Sequence, residues 1–246
     1  MNTQKTLYLA GATSDMALAI GREFAGQGWN LILGGRDPQA LEPIRTDLEI
    51  RHNIQAKTVF CDVAQPEKTI AELEAIHPSP QGMVCAIGYL GDQKKAEQHW
   101  SEAATILHTN FNGCVALLNA FANQLEINRN GFIIGISSVA GDRGRQSNYI
   151  YGAAKAGFTA YLSGLRSRLA KKNVHVMTVK PGFVYTRMTE AMKLPAIVTA
   201  TPEQVAKDVF AAYQKGKDVI YTRWFWRWIM LIIRSIPEKL FKKLSL

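Results

Sequence analysis

The sequence predicts a doubly wound α/β fold around a parallel sheet, and three observations lead there. Short β-type runs alternate with longer helical stretches along the whole chain. Most of those runs are apolar on consecutive residues, the pattern of strands covered by helices on both faces. The 246 residues contain no linker, repeat or low-complexity stretch, and are enough for one domain with a substantial core.

Seven strands are expected: TLYLA (6–10), NLILG (30–34), AKTVFCD (56–62), GMVCAI (82–87), GFIIGIS (131–137), VHVMTVK (174–180) and DVIYT (218–222). Helical segments are expected near 15–27, 38–51, 66–77, 101–127, 149–171 and 202–215. Asp37-Pro38 sets a capping residue before a first-turn proline, and Thr201 is followed three residues later by Gln204, a capping-box spacing. Strands alternating with helices of this length form right-handed βαβ units, so the sheet is a Rossmann-type one in a single domain over 1–222.

Composition narrows the function classes. A hydrophobic fraction of 47% and mean hydropathy of −0.07 are ordinary for a globular chain. The start, MNTQKTLYLAG, has no charged leader before a long apolar run, which predicts no signal peptide. Cys61, Cys85 and Cys114 lie in apolar segments without CxxC spacing and read as reduced buried thiols in a cytoplasmic protein. His99, His108 and His175 make no metal constellation and read as helix-surface or packing residues, Trp100 reads as core or loop packing, and no metal site is expected. Net charge is +9, but no nucleic-acid recognition pattern accompanies it. Residues 223–246 hold six of the basic residues against the single acid Glu238.

The first strand runs through Ala10 and Gly11 into Thr13, Ser14, Asp15, Met16 and Ala17, and then a helix. A tight turn opening a helix offers free backbone N–H groups to a pyrophosphate. Gly11 permits the turn, Ala17 is small enough for helix–strand packing, and Asp15 stands where a second glycine is usual. Asp15 is expected to cap the helix, because a carboxylate aimed at phosphate is repelled. Arg36 closes strand two, where an acid would hold the ribose hydroxyls of NAD and an arginine can pair with a 2′-phosphate. The cofactor preferred on that ground is NADP, with NAD the alternative. Asp62 and Val63 follow strand three, where an adenine edge would lie.

The chemistry sits in SSVAGDRGRQSNYIYGAAKAG. Tyr151 and Lys155 are four apart and share a helix face, and Ser138 ends strand five. A free phenol titrates at about pH 10, and a neighbouring ammonium favours its phenolate, which suits proton transfer near neutrality. A serine hydroxyl can polarise a carbonyl oxygen. The set suits moving a proton while a hydride moves on carbon.

With these residues the chain resembles the short-chain dehydrogenase/reductase family up to about Tyr221. In that family the serine stands thirteen before the tyrosine, as Ser138 does before Tyr151, whereas Tyr149 has no lysine four later. The resemblance implies that Asn110 anchors a water linking Lys155 to solvent. It also implies that the Pro181, Gly182, Val184 and Thr186 segment holds the nicotinamide amide, and that Ala86, Ile87 and Gly88 line the cofactor. The family's Asn-Asn-Ala-Gly is here Cys85-Ala86-Ile87-Gly88. Residues 186–201, with Met188, Met192, Leu194 and Ile197, are the expected substrate lid.

The remainder, 223–246, is a basic aromatic amphipathic tail. On a helix, Trp224, Trp228, Leu231 and Ile232 fall on one side and Arg223, Arg227 and Arg234 on another. After Pro237, Leu240, Phe241 and Leu244 are expected to face away from Lys239, Lys242 and Lys243. Tryptophan favours the water–hydrocarbon boundary and arginine snorkels toward phosphates, so one reading is an in-plane anchor at the inner face of the cell membrane. The other is a helix pair buried against the body or a dimer mate. A narrower resemblance joins the SSVAGDRGRQSNYIYGAAKAG, PGFVYTRMT and IIRSIPEKLF segments to the reductase subunits of decaprenylphosphoryl-ribose 2-epimerases. It implies a keto-sugar on a polyprenyl phosphate as the carbonyl substrate, a flavin oxidase as partner, and a role in cell envelope biosynthesis. A soluble reductase of 3-oxoacyl or small-molecule ketones, a homo-oligomer with the tail in its seam, is the alternative; a noncatalytic NADP-sensing or scaffold protein is another.

Overall fold

The computed structural model describes residues 5–244, so the termini of the two expected segments, 1–222 and 223–246, fall partly outside it. The elements run in chain order as β1 (Thr6–Ala10), α1 (Asp15–Gly26), β2 (Asn30–Gly35), α2 (Glu42–His52), β3 (Ala56–Phe60), α3 (Pro66–Glu74) and β4 (Gly82–Cys85). There follow α4 (Gln93–Gln98), α5 (Trp100–Leu107), α6 (Gly113–Asn128), β5 (Gly131–Ile136), α7 (Tyr149–Leu169) and β6 (Val174–Pro181). The chain ends with β7 (Phe183–Val184), β8 (Thr199–Ala200), α8 (Pro202–Gln214), β9 (Val219–Thr222), α9 (Trp226–Ser235) and α10 (Glu238–Phe241).

All seven expected strands enter one parallel sheet in the order β3-β2-β1-β4-β5-β6-β9. The chain leaves β1 in one direction toward β3 and returns to its other side at β4. That reversal opens a crevice at the carboxyl ends of β1 and β4, the place where such sheets receive ligands. β7 and β8 form a separate parallel pair above that edge.

Alternation along each strand divides the core in two. Leu7, Leu9, Val84, Ile134 and Val179 face one layer with α1, α2 and α8. Tyr8, Met83, Ile133 and Val176 face the other with α3, α6 and α7. β3 is half-buried because it lies at the sheet edge, while β1, β4 and β6 between neighbours are almost wholly buried.

Three local expectations are corrected. The helix expected over 101–127 is two helices, α5 and α6, joined by a π-helical turn at His108–Asn112. One more residue per turn there lets Asn110 point inward with no glycine or proline to signal it. The segment expected near 38 opens as a short 3-10 turn at Gln39–Leu41, with Asp37 Oδ1 accepting from Gln39 N at 3.0 Å, and α2 begins at Glu42. Trp100 is not packed but 74% exposed. The capping box at Thr201 forms as expected, with Gln204 N donating to Thr201 Oγ1 at 3.3 Å.

Candidate active site

Four carboxyl-edge segments build the site. β1 ends in Gly11, whose φ of +81° only glycine adopts freely, and whose N–H donates to Gly34 O at 3.1 Å. Ser14 caps α1, its Oγ accepting from Ala17 N at 3.1 Å. Asp15 is therefore not the cap. Its carboxylate turns away from the helix to Arg187 of the lid, accepting from the Arg187 backbone N at 2.8 Å and from Nε at 3.0 Å. Arg187 Nη2 also donates to Thr13 O, so the start of the segment expected to be the lid is strapped to the first turn. Beside this contact an open cavity of about 470 Å³ is lined by Asp15, Tyr185, Thr186, Arg187, Thr189, Glu190 and Met192. Met16 packs against the α1 core layer.

Beside that turn run Ala86, Ile87 and Gly88 after β4. A Cβ at Gly11 would meet Ile87 Cγ1 at 3.0 Å and Ile87 N at 3.2 Å. A Cβ at Gly88 would meet Asn110 Oδ1 at 3.3 Å, Lys155 Nζ at 3.6 Å and Met188 Cε at 3.6 Å. Both glycines thus let neighbouring segments approach more closely than a side chain would allow. These residues fit a dinucleotide at the switch point of the sheet. Arg36 stands exposed just past β2. Asp62 is held by its own turn, Oδ1 accepting from Ala64 N at 3.0 Å, and the buried Val63 carbonyl meets His108 Nε2 at 2.7 Å.

Asn110 is fully buried; its Nδ2 donates to Tyr89 O at 2.6 Å and Ile106 O at 2.8 Å, and its Oδ1 accepts from Tyr89 N at 3.2 Å. Tyr89 is tied further by its hydroxyl, which donates to Glu102 Oε1 at 2.8 Å and, with the Asp92 N–H, holds that carboxyl below the usual range. Lys155 is buried on α7, its Nζ donating to Ile136 O at 3.2 Å and 5.8 Å from the Tyr151 ring centroid. Ser138 follows β5, its Oγ accepting from Ala140 N at 3.1 Å. Asn110, Lys155 and the Ile87–Gly88 turn therefore come together, with Tyr151 one helical turn before Lys155. Pro181 ends β6, Gly182 N donates to Thr222 O at 3.0 Å, Val184 is buried in β7, and Thr186 opens the lid.

Sequence reasoning missed Arg187, Arg143 and Trp226. Arg187 meets Asp15 across 172 residues, and no local pattern announces such a pair. Trp226 and Met230 lie on the tail face opposite to the one singled out; they are buried, whereas Trp224, Trp228, Leu231 and Ile232 are each more than half exposed. Phe241 is buried as well, so it does not share the exposure of Leu240 and Leu244.

The family model described as short chain dehydrogenase matches residues 5–195. An uncharacterised oxidoreductase of Mycobacterium tuberculosis is 37% identical over 241 residues, covering 97% of this chain and 96% of its own. A second uncharacterised oxidoreductase, from Streptomyces coelicolor, is 30% identical over 243 residues, covering 98% and 96%. Among solved structures, a short-chain dehydrogenase from Sphingobium yanoikuyae in complex with NADPH superposes with a TM-score of 0.82 at 19% identity, over 95% of this chain and 97% of that one. With the parallel sheet, the match establishes that the chain belongs to the short-chain dehydrogenase family and is an NAD(P)-dependent oxidoreductase.

Proposed function

We propose that the protein reduces a carbonyl on a lipid-linked substrate, a keto-sugar on a polyprenyl phosphate being the form that its segment resemblances favour. The observation that carries the reductase part is the convergence of Asn110 and Lys155 on Gly88, where a Cβ would meet Asn110 Oδ1 at 3.3 Å and Lys155 Nζ at 3.6 Å, with Lys155 Nζ 5.8 Å from the Tyr151 ring centroid. Bound NAD(P)H supplies a hydride to the carbonyl carbon. Tyr151 gives its hydroxyl proton to the carbonyl oxygen, and Ser138 turns its hydroxyl to donate to the same oxygen. Lys155, buried behind Tyr151, stabilises the phenolate left by that transfer, and its ammonium is positioned by the Ile136 carbonyl. Asn110 fixes the Tyr89 loop and the proton route beyond Lys155. Arg36, exposed past β2, selects NADP by pairing with a 2′-phosphate.

The lipid part rests on α9 and the residues after it. Trp224, Trp228, Leu231, Ile232, Leu240 and Leu244 leave an apolar surface in water. It is interleaved with Arg223, Arg227, Arg234 and three lysines, and Glu238 is neutralised by Arg143 at 2.9 Å. Such a surface complements anionic lipid head groups. No described helix is long and apolar enough to cross a membrane, so the contact is peripheral. A flavin oxidase that makes the keto group is the partner this reading calls for. A 3-oxoacyl reductase activity is the second reading, favoured by 25% identity over 232 residues to the 3-oxoacyl-[acyl-carrier-protein] reductase of Chlamydia trachomatis.

The test is NADPH oxidation by Tyr151→Phe against the parent chain, with a polyprenyl-linked keto-sugar and with a 3-oxoacyl thioester. General acid catalysis contributes about 10²–10⁴-fold, so kcat falls by at least ~10²-fold while cofactor affinity stays within about twofold. Turnover retained by the variant would sink the assignment, and preference for the thioester would transfer it to the second reading.

A further inference from the structure

The tail helix has two apolar faces, and the inner one is packed into the site. Trp226, Ile229, Met230 and Ile233 recur at helical offsets of 0, 3, 4 and 7, and they pack with Val139, Phe183 and Val198. Val139 follows Ser138. Gly182 and Phe183 belong to the segment after β6 expected to hold the nicotinamide amide, and Val198 lies near the end of the expected lid, 186–201.

Trp226 joins two of these directly. Its indole lies where a Cβ at Gly182 would fall, its Nε1 donates to Val198 O at 3.1 Å, and its ring meets Phe183 edge-on at 5.4 Å. The third is joined by Arg143, in the loop after Ser138. Its Nη1 donates to Ile233 O at 2.5 Å and Ile236 O at 2.7 Å, carbonyls at the C-terminal end of α9, the first of which also accepts the Ile236 N–H at 3.4 Å. Its guanidinium lies 3.6 Å from the Phe241 ring centroid. The cation stands at the negative end of the helix dipole, and its side chain is only 14% exposed. Asp142, one residue earlier, is fixed from the opposite side by Lys180 Nζ at 2.6 Å and the Tyr221 hydroxyl at 2.8 Å. The loop carrying Ser138 is therefore clamped between β6, β9 and the tail.

We propose that Arg143 and Trp226 are positioning residues of the active site, through which α9 sets the Ser138 loop and the Gly182–Phe183 segment. The proposal rests on the reductase reading but is independent of any membrane contact, because it concerns the inner face of α9 and not the outer one. Neither residue touches the reacting atoms. Both act by holding segments that do, and a misplacement of about 1 Å at a reacting centre can cost ~10²-fold in rate.

The experiment uses the full chain without lipid and a water-soluble ketone or 3-oxoacyl thioester that the parent reduces. Arg143→Ala, Arg143→Lys and Trp226→Phe are first checked for folding by circular dichroism and thermal unfolding. In the folded variants kcat is expected to fall roughly 10–100-fold for Arg143→Ala, with partial recovery in Arg143→Lys, whose ammonium still reaches one carbonyl. Trp226→Phe keeps a ring and loses the bond to Val198, and kcat falls less. The deuterium isotope effect from reduced cofactor labelled at nicotinamide C4 is expected to rise in both, since hydride transfer becomes limiting. Folded variants with kcat and isotope effect both unchanged overturn the proposal. If Arg143→Ala does not fold, Arg143→Lys and Trp226→Phe decide it alone. If the parent reduces no carbonyl, the reductase reading fails separately. Nicotinamide fluorescence of bound NADPH then judges the positioning role: a changed emission in Trp226→Phe supports it, and an unchanged one refutes it.

Discussion

Replacing Asn110 by alanine is expected to loosen the site before it touches the chemistry. The side chain is fully buried and makes three hydrogen bonds, two from Nδ2 to the Tyr89 and Ile106 carbonyls and one to Oδ1 from Tyr89 N. An average hydrogen bond contributes about 1 kcal/mol net, and a buried group left without its partner costs ~1–3 kcal/mol. Three lost contacts therefore sum to roughly 3–5 kcal/mol. For a chain of this size each kcal/mol lowers Tm by about 2–4 °C, so Asn110→Ala is expected to melt roughly 6–20 °C earlier. Scanning calorimetry measures this directly. Because Gly88 precedes Tyr89, NADPH affinity measured by fluorescence titration should weaken in the same variant at a temperature where it is folded. A Tm within 2 °C of the parent would refute the reasoning, since Asn110 would then not hold the Tyr89 loop.

Three other outcomes follow from separate parts of the molecule. Arg36→Leu should weaken NADPH binding by about 10–100-fold, the range of a charge-assisted hydrogen bond worth ~1.5–3 kcal/mol, and leave NADH unchanged; equal losses for both cofactors would refute the 2′-phosphate role. Asp15→Asn should release Arg187 and speed both association and dissociation of the cofactor in stopped flow, by about 2–5-fold. Tm should barely change, because a pair whose side chains are 28% and 68% exposed contributes ~0–1 kcal/mol. Slower or unaltered exchange would show that the strap does not close the cleft. Finally, the parent chain should co-sediment with anionic vesicles, and Trp228→Ser with Ile232→Ser should reduce this by about tenfold or more, given ~1.5–3 kcal/mol for burying one large apolar side chain. Equal sedimentation of both chains would remove the outer face of α9 as the contact.

The strands were legible because burial on both faces of a parallel sheet leaves runs of consecutive apolar residues, as in Leu7–Leu9 and Ile32–Leu33. Tyr151 and Lys155 stood out as a pair because a helix sets residues four apart on one face whatever surrounds them. Asn110 was identified by resemblance, but the π-helical turn that aims it inward was not visible, since the extra residue depends on what α5 and α6 pack against. The role of Asp15 was misread for a similar reason. A cap is a local event readable within three residues, and Ser14 fills it. The true partner, Arg187, lies 172 residues away and becomes a neighbour only when the lid folds over β1.

The tail shows the division most clearly. Its amphipathic character, its break at Pro237 and its excess of cations are properties of the chain and need no fold to state. Which apolar face is covered is a property of the assembled sheet. Periodicity marks Trp224 and Trp226 as equally apolar and only rotates them apart, so it cannot say which one meets the body. That choice is made by Gly182, which leaves room for one indole, and by Arg143, whose guanidinium satisfies the carbonyls at the helix end. The layers and the strand set could be read along the chain, because each depends on a pattern within one element. The contact of Arg187 with the first turn and the docking of the tail emerge on folding, because each needs groups far apart in the chain to meet.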